Sequence, residues 1–232
     1  MSCAPRGAST KTARSCSGAL AGPRAKVSCR GTSLGALGDG LQAASSAPGE
    51  GGEASPRKRL EKGLLHVYTG PGKGKTTAAI GLATRAVGHG YRVFVVYFLK
   101  DRIEGGEFEA LERLGGVEFA CFGSSGAVNP KHPDPKAVEA ARQALSRAQE
   151  VIQSGDRDVV ILDEINLALH QGLLDLGHVL RVLESRPPHV EVVCTGRGAP
   201  LELMGIADYV TRMESLKHPR ERGVESRKGI DE

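Results

Sequence analysis

The sequence predicts an α/β fold in which a mainly parallel β-sheet is covered by helices on both faces. Two observations favour this class. Short apolar segments alternate with segments of helical periodicity over about 150 residues, and residues 64–77 join an apolar run to a glycine-rich turn and a helix-forming sequence. Alternating strands and helices form parallel sheets with right-handed crossovers. We therefore take residues 64–77 as the segment around which the fold is organised.

The glycine-rich turn has the composition of a phosphate-binding loop, which makes the predicted fold P-loop NTPase-like. It contains Gly70, Gly72 and Gly74, and residues without a side chain let consecutive N–H groups point into one concavity. The helix that follows presents its positive dipole end to the same anion. Lys75 adds a positive charge for phosphate oxygens, and the Thr76 hydroxyl is a candidate ligand of magnesium.

The loop departs by one residue from the strict pattern Gly-x-x-x-x-Gly-Lys-Ser/Thr. Thr69 stands where the first glycine is expected, and Gly70 follows one residue late. We therefore expect a loop whose shape differs from that of a generic NTPase. The alternative is a glycine turn with incidental lysines. The agreement of the strand, loop and helix signals argues against that alternative.

Two carboxylates follow a second apolar run, at residues 158–164, which has the sequence Asp-Val-Val-Ile-Leu-Asp-Glu. Ligands of open parallel sheets bind at the carboxyl ends of the strands. We therefore expect Asp163 and Glu164 to lie beside a magnesium ion held by Thr76. The alternative is a helix-capping aspartate followed by a surface glutamate, which explains the acids but not the apolar run before them.

A third apolar run, at residues 190–195, is followed by Gly196, Arg197 and Gly198. An arginine between glycines at the end of a strand can reach a polyphosphate. A turn with a solvated arginine explains the same residues equally well, and spacing does not decide between the two.

Periodicity and turn residues predict the other elements. The helix after residue 135 has one apolar stripe, formed by Val138, Ala141, Leu145, Ala148 and Ile152. Asp175 is the expected N-cap of a later helix. Residues 122–135 are predicted to form a long loop, and the tail from residue 217 to be irregular. The remaining predicted elements are a helix at 76–87, a strand at 92–99, a helix at 107–114, a strand at 117–121 and an edge strand at 208–213.

Composition limits the classes of function. The chain has 31 basic and 27 acidic residues, 4% aromatic residues and no Trp, which disfavours a nucleic-acid groove. No apolar run approaches the ~20 residues that span a bilayer, so we expect no membrane partner. The five cysteines include no Cys-x-x-Cys pair, which favours a reduced compartment and no cysteine-based metal site.

Residues 1–58 are predicted to be a disordered extension, and residues 59–232 the folded domain. The extension is rich in Ser, Ala, Gly, Pro and Arg and has no acidic residue before Asp39. This composition fits an organellar transit peptide. An unprocessed bacterial extension or a start codon assigned too far upstream fits almost as well. We expect a cytoplasmic protein, or an organellar one if the extension is a transit peptide.

The amino-acid sequences of the motifs resemble those of the P-loop corrinoid adenosyltransferases, which act on cob(I)alamin or cob(I)yrinic acid a,c-diamide. The resemblance covers residues 63–231. It rests on seven separated motifs in family order: Gly-x-Gly-Lys-Gly-Lys-Thr-Thr-Ala-Ala, Ala-Val-Gly-His-Gly, Phe-Leu-Lys, Val-Ile-Leu-Asp-Glu-Ile-Asn, Val-x-Val-Val-x-Thr-Gly-Arg, Lys-His-Pro and Lys-Gly-Ile. The one-residue difference in the phosphate loop is itself a feature of this family.

The resemblance implies transfer of the 5′-deoxyadenosyl group of ATP to the Co(I) of a reduced corrinoid, with release of triphosphate. It also implies Mg²⁺ as cofactor, a reductant such as a flavoprotein, and a homodimer. By carry-over, the catalytic residues are Lys75, Glu164 and Arg197, and the magnesium ligands are Thr76, Asp163 and Glu164. The phosphate-binding residues are Gly70, Pro71, Gly72, Lys73, Gly74, Lys75, Thr76 and Thr77.

One region departs from the family pattern. Family members place aromatic residues after the third strand, where they are thought to press on the corrin ring. This chain has Gly-Ser-Ser-Gly-Ala-Val-Asn there, and the nearest aromatic residue is Phe122. Other functions stay open on the motifs alone: a generic ATPase or nucleoside kinase, a non-catalytic nucleotide- or corrinoid-binding protein, and, more weakly, a DNA-dependent motor.

Overall fold

The computed structural model describes residues 59–101, 105–123 and 133–231. The predicted extension at residues 1–58 and most of the predicted loop at 122–135 lie outside the described residues. The two described ends of that loop differ slightly from the prediction, because Phe122 still belongs to the third strand and a helix begins at Pro135.

Strands and helices alternate along the described chain, as predicted. In chain order the elements are β1 (Leu65–Thr69), α1 (Lys75–Gly88), β2 (Val93–Phe98), α2 (Gly106–Leu114), β3 (Val117–Phe122), α3 (Pro135–Ser154), β4 (Val159–Asp163), α4 (Ile165–His170), α5 (Leu176–Glu184), β5 (Glu191–Thr195), α6 (Leu201–Ile206), β6 (Tyr209–Arg212) and a short 3₁₀ helix (Pro219–Arg222).

The described strands form one six-stranded sheet in the order β3-β2-β4-β5-β1-β6. Every neighbouring pair is parallel, and the α/β fold class is thereby confirmed. The order places β4, β5 and β1 side by side in the middle of the sheet. Their carboxyl ends therefore meet at one edge, which we call the carboxyl edge; the opposite one is the amino edge.

Two apolar layers cover the sheet, one on each face. Alternate residues of β2 belong to different layers, since Phe94 and Val96 pack with α3 whereas Val95 and Tyr97 pack with α1 and α2. All six residues of β2 are buried, as expected for a parallel strand that is covered on both faces. The predicted apolar stripe lies on α3, where Ala141, Leu145, Ala148 and Ile152 are buried and Val138 is partly buried.

Two helices were absent from the sequence-based prediction. α4 and α6 each contain six residues, which is too short for a 3.6-residue period to repeat visibly. The predicted N-cap at Asp175 is confirmed, because its Oδ1 accepts a hydrogen bond of 2.7 Å from the N–H of His178. The tail predicted to be irregular contains the 3₁₀ helix. None of the helices within the described ranges has the length and apolarity that a membrane span requires.

Candidate active site

The phosphate-binding loop follows β1 and lies against the segment that follows β6. The N–H of Gly72 donates to the carbonyl of Met213 over 2.8 Å, and the N–H of Met213 donates to the carbonyl of Thr69 over 2.8 Å. A Cβ added at Gly70 would lie 2.4 Å from the Met213 carbonyl oxygen, and one at Gly72 would lie 2.7 Å from the Glu214 carbonyl carbon. Glycine is therefore required at both positions for the loop to approach this segment.

The loop leads directly into α1 without a side-chain cap. Gly74 precedes the helix with φ of 113°. It has no side chain that could cap the helix, and the first turn of α1 contains no acidic residue. A positive φ of this size is readily adopted only by glycine. The N–H groups at this end of α1 thus have no capping side chain to accept their hydrogen bonds, and they suit an anion.

Lys75 directs its ammonium group back into the loop. Its Nζ donates to the carbonyl of Gly72 over 2.7 Å and to that of Gly70 over 3.0 Å, and the residue is buried. Burial lowers the pKa of Lys75, while the charge of Glu164 acts in the opposite direction. The structure thus holds a positive charge inside the concavity where a phosphate group would bind.

Asp163, at the end of β4, joins the loop to the neighbouring strand β5. Its Oδ1 accepts hydrogen bonds from the hydroxyl of Thr76 over 2.9 Å and from the hydroxyl of Thr195 over 2.7 Å. The Thr195 hydroxyl in turn accepts the N–H of Glu164 over 3.0 Å. The second carboxylate oxygen, Oδ2, is buried and has no hydrogen-bond partner. One oxygen of Asp163 is therefore oriented by hydrogen bonds from the protein, and the other makes no hydrogen bond but lies 3.7 Å from the Lys100 Nζ.

Glu164 forms the one-residue turn between β4 and α4. Its φ of 64° is one of two positive values among non-glycine residues in the described chain, a conformation that costs roughly 1–2 kcal/mol. Its Oε2 atom is buried without a hydrogen-bond partner. Burial raises the pKa of Glu164, and the adjacent charge of Asp163 raises it further. A strained backbone and an unsatisfied carboxylate at one residue are typical of functional sites.

Arg197 is exposed at the end of β5. Its charge lowers the pKa of Glu164 and also that of Lys75, so the guanidinium group belongs to the electrostatic surroundings of the loop. The preceding Gly196 has φ of 127°, and a Cβ there would lie 2.8 Å from the backbone nitrogen of Leu167. This glycine lets the end of β5 pass close to α4. Contact of Arg197 with a polyphosphate stays a prediction.

Three other loop residues of the prediction lie at the surface. Pro71, Lys73 and Thr77 are exposed. The Lys73 Nζ donates to the carbonyl of Ile230 over 3.0 Å, and so the C-terminal tail lies near the loop. The structure therefore brings together Lys75, Thr76, Asp163 and Glu164, and it gives Lys73 a different contact.

Sequence reasoning missed two residues that organise the site. Thr195 binds Asp163, as described above, and Asn166 connects the ends of two strands. The Asn166 Nδ2 lies within 3.2–3.4 Å of the carbonyl oxygens of Tyr68, Cys194 and Gly196. Both are polar residues in otherwise apolar surroundings, Thr195 at the end of a strand and Asn166 in α4. That contrast was the available sequence signal.

The donor set suits a hard divalent cation. Thr76, Asp163 and Glu164 offer only oxygen atoms, and the buried Asp163 Oδ2 and Glu164 Oε2 make no hydrogen bond. The part of the chain that the structure describes contains no cluster of three or more His, Cys, Asp or Glu residues that could hold a metal ion. A site with few protein oxygens fits Mg²⁺, which keeps several waters and takes other ligands from substrate phosphates.

Comparison with known proteins identifies the family. Residues 61–231 match the family model described as ATP:corrinoid adenosyltransferase BtuR/CobO/CobP. A corrinoid adenosyltransferase from Sinorhizobium is 38% identical over 177 residues, which are 75% of this chain and 82% of the relative. The corrinoid adenosyltransferase of Escherichia coli K12 is 37% identical, over 74% and 86% of the two chains. Corrinoid adenosyltransferase CobA of Salmonella typhimurium is 38% identical, over 74% and 86%.

The match covers every strand and helix of the described fold, together with the phosphate-binding loop and both carboxylates. The chain belongs to the ATP:corrinoid adenosyltransferase family BtuR/CobO/CobP.

Proposed function

We propose that this chain transfers the 5′-deoxyadenosyl group of ATP to the Co(I) of a reduced corrinoid and releases triphosphate. Family membership supports the ATP-dependent adenosylation of corrinoids. The observation that supports the ATP half most directly is the hydrogen bond from Thr76 to Asp163, because it joins the start of α1 to an acidic strand end.

The bond changes follow from the substrates. The Co(I) centre supplies an electron pair to the 5′-carbon of ATP, a Co–C bond forms, the C5′–O bond breaks, and triphosphate leaves with the bonding electrons of that oxygen. The corrinoid itself is the nucleophile, so the protein needs no activated Ser, Cys or His. Its tasks are to hold the 5′-carbon in line with cobalt and to stabilise charge on the leaving group.

The described residues suit the second task. The N–H groups at the start of α1 and the Lys75 ammonium would bind phosphate oxygens in the loop. The exposed Arg197, whose charge acts on Glu164 and Lys75, would add a second positive charge for the triphosphate. Both charges would stabilise the negative charge that develops on triphosphate as it leaves.

We assign Thr76, Asp163 and Glu164 to a Mg²⁺ ion that accompanies the nucleotide. Each of the two carboxylates has a buried oxygen that makes no hydrogen bond, which supports this assignment. When bound, the ion would neutralise phosphate charge. The contribution of the chain is to hold the Asp163 carboxylate in one orientation through Thr76 and Thr195.

The family resemblance implies corrinoid contacts from the segment after the third strand, where family members have aromatic residues. In this chain residues 124–132 lie outside the described residues, and Phe122 is partly buried against the core. We expect corrinoid contacts to differ here from those of family members that have aromatic residues in this loop. A homodimer, a reductant such as a flavoprotein and a cytoplasmic location remain proposals from the family resemblance.

The test is anaerobic incubation of the protein with chemically reduced cob(I)alamin, ATP and magnesium. We expect the corrinoid spectrum to change to that of the light-sensitive adenosyl form, with one triphosphate released per corrinoid converted. Omission of the corrinoid is the control. Cleavage of ATP to ADP and phosphate without corrinoid would instead indicate the generic ATPase or kinase, and binding of both substrates without turnover would indicate a carrier protein.

A further inference from the structure

Lys100 is a second lysine at the carboxyl edge, and the function proposed above assigns it no role. It follows β2, which neighbours β4 in the sheet. Its Nζ lies 3.7 Å from Asp163 Oδ2 and 3.6 Å from Glu107 Oε1. The ammonium group therefore faces the same Asp163 oxygen that lacks a hydrogen-bond partner.

The backbone around Lys100 holds the residue in place. Leu99, just before it, has φ of 60° and is the other non-glycine residue with a positive value in the described chain. On the neighbouring strand end, a Cβ added at Gly123 would lie 2.5 Å from the carbonyl carbon of Lys100 and 2.7 Å from its nitrogen. A strained residue and a close backbone contact both restrict where Lys100 can point, so its position is specified by the fold.

The side chain is also held by aromatic rings. The Nζ atom lies 4.4 Å from the centroid of the Tyr97 ring and 5.6 Å from that of the Phe108 ring, and both residues are buried. An ammonium group over ring faces is stabilised by the negative charge of those faces. Lys100 is only one-third exposed, unlike a solvated surface lysine.

This arrangement puts a fixed positive charge beside the oxygen that a divalent cation would need. A cation bound to Asp163 Oδ2 would lie a few ångströms from the ammonium group, and the two would repel each other. The positive charges of Lys75 and Arg197 also act on this cluster. A metal ion alone is therefore disfavoured, whereas a metal ion that arrives with a polyphosphate brings negative charge to all three cations.

We propose that Lys100 is a positioning residue that makes the Asp163–Glu164 site select the metal–nucleotide complex over the free divalent cation. It does so by acting as the counter-charge of Asp163 until the phosphates arrive. The inference rests on the proposed metal site and adds a specificity for the form in which the metal binds. Lys100 acts through Asp163, and no contact with substrate is required of it.

The test measures binding of Mn²⁺ alone by the loss of its free electron paramagnetic resonance signal. Lys100→Met keeps the length and apolar stem of the side chain but removes the charge, and we expect it to bind Mn²⁺ about tenfold more tightly than the wild type. Lys100→Arg, which keeps the charge, should stay within about threefold of the wild type. Lys136→Met, at an exposed position in the first turn of α3, is the matched control and should have no effect.

Two further measurements locate the effect. Adding Asp163→Asn to Lys100→Met should abolish the gained affinity, and saturating ATP should reduce the difference between Lys100→Met and the wild type to less than about threefold. Circular dichroism checks that each variant is folded; if Lys100→Met does not fold, Lys100→Gln replaces it.

No gain for Lys100→Met, or an equal gain for Lys100→Arg, would overturn the proposal, as would a gain that survives Asp163→Asn. These results are independent of adenosyl transfer, because the measurement contains neither nucleotide nor corrinoid in its first arm. A wild type that fails to adenosylate corrinoid would refute the proposed function and would leave the Mn²⁺ result interpretable.

Discussion

Acidic side chains lie at both edges of the sheet, and their hydrogen bonds differ. At the amino edge, carboxylates accept backbone N–H groups: Asp158 accepts that of Arg92 over 2.8 Å, and Glu191 accepts that of Leu64 over 2.6 Å. At the carboxyl edge, Asp163 accepts hydrogen bonds from the hydroxyls of Thr76 and Thr195, and its Oδ2 lies 3.7 Å from the Lys100 Nζ. The amino-edge acids therefore connect backbone segments, whereas Asp163 belongs to a cluster of side-chain hydroxyl and charged groups.

Strand β4 shows this difference within one element, since Asp158 precedes it and Asp163 ends it. Both side chains are fully or almost fully buried, at 0% and 1% exposure. Burial and residue type thus fail to separate a structural carboxylate from a candidate metal ligand. The partners separate them: the Asp158 carboxylate accepts a backbone N–H, whereas the Asp163 carboxylate accepts two side-chain hydroxyls and lies 3.7 Å from the Lys100 Nζ.

The largest expected effect is at Lys75, whose ammonium group lies inside the phosphate-binding loop. Lys75→Ala removes the charge from the phosphate loop, and we expect kcat/KM for adenosyl transfer to fall by roughly 10²–10³-fold or more. Far-ultraviolet circular dichroism should remain that of the wild type. Lys136→Ala, in the exposed first turn of α3, is the control; a wild-type rate in Lys75→Ala would refute the loop assignment.

The paired substitutions Asp163→Ala and Asp158→Ala compare the two edges directly. Asp163→Ala should lower kcat/KM by about 10²-fold with a smaller change in stability, because it also relieves repulsion with Glu164. Asp158→Ala should lower the free energy of unfolding by about 1–3 kcal/mol, because it leaves the part-buried N–H of Arg92 without this acceptor, and the folded fraction should keep its activity. Triphosphate assays measure the activity and urea denaturation measures the stability. Loss of activity in Asp158→Ala together with loss of stability alone in Asp163→Ala would contradict the comparison.

A smaller effect is expected where the loop meets the segment after β6. Gly70→Ala should lower the free energy of unfolding by about 1–3 kcal/mol, because φ is 97° and the new Cβ would meet the Met213 carbonyl. Affinity for ATP should fall about tenfold, as judged by calorimetry. Gly81→Ala is the matched control: no atom lies within 4 Å of a Cβ there, and an exposed helical alanine should stabilise by about 0.5–1 kcal/mol. Equal losses in both variants would contradict the steric argument.

The smallest expected effect is the pH dependence at Glu164. Burial and Asp163 raise the pKa of this carboxyl in the folded state, so folding favours its protonated form and stability is lost as pH rises through the folded-state pKa. Glu164→Gln removes that loss and should increase the free energy of unfolding at pH 7 by less than about 1 kcal/mol. The gain should disappear near pH 4, where the wild-type carboxyl is protonated. Urea denaturation at pH 4 and pH 7 measures this. A Glu164→Gln variant that is less stable than the wild type at pH 7 would contradict the prediction.

Local patterns were sufficient for the main elements of the fold. The apolar runs that became β1, β2, β4 and β5 are short, and each is bounded by turn residues. In β2 and β4 every residue is buried, and strands that are buried on both faces read as nearly continuous apolar runs. The predicted first and last residues of these elements differ from the observed ones by one or two positions. The six-residue helices α4 and α6 were missed because six residues provide less than two turns of periodicity.

The candidate site was predictable where polar residues directly follow the end of a strand in one short motif. The run from Gly70 to Thr77 and the pair Asp163 and Glu164 each combine a strand end with polar residues. Thr195, Asn166 and Lys100 were not identified, because each is a single residue whose role depends on a neighbouring strand. Nothing adjacent in sequence indicates that Thr195 donates to Asp163 or that Lys100 faces it.

The sequence by itself determined the family, the alternation of strands and helices, and the glycine-rich loop followed by lysine and threonine. These features are local, since backbone conformation and apolar periodicity are properties of neighbouring residues. Only the tertiary structure decided the strand order, the contact between the loop and Met213, and which groups each buried carboxylate contacts. Those features depend on residues that are distant in sequence and meet only when parallel strands pair, because crossovers bring the carboxyl ends of separate strands to one edge.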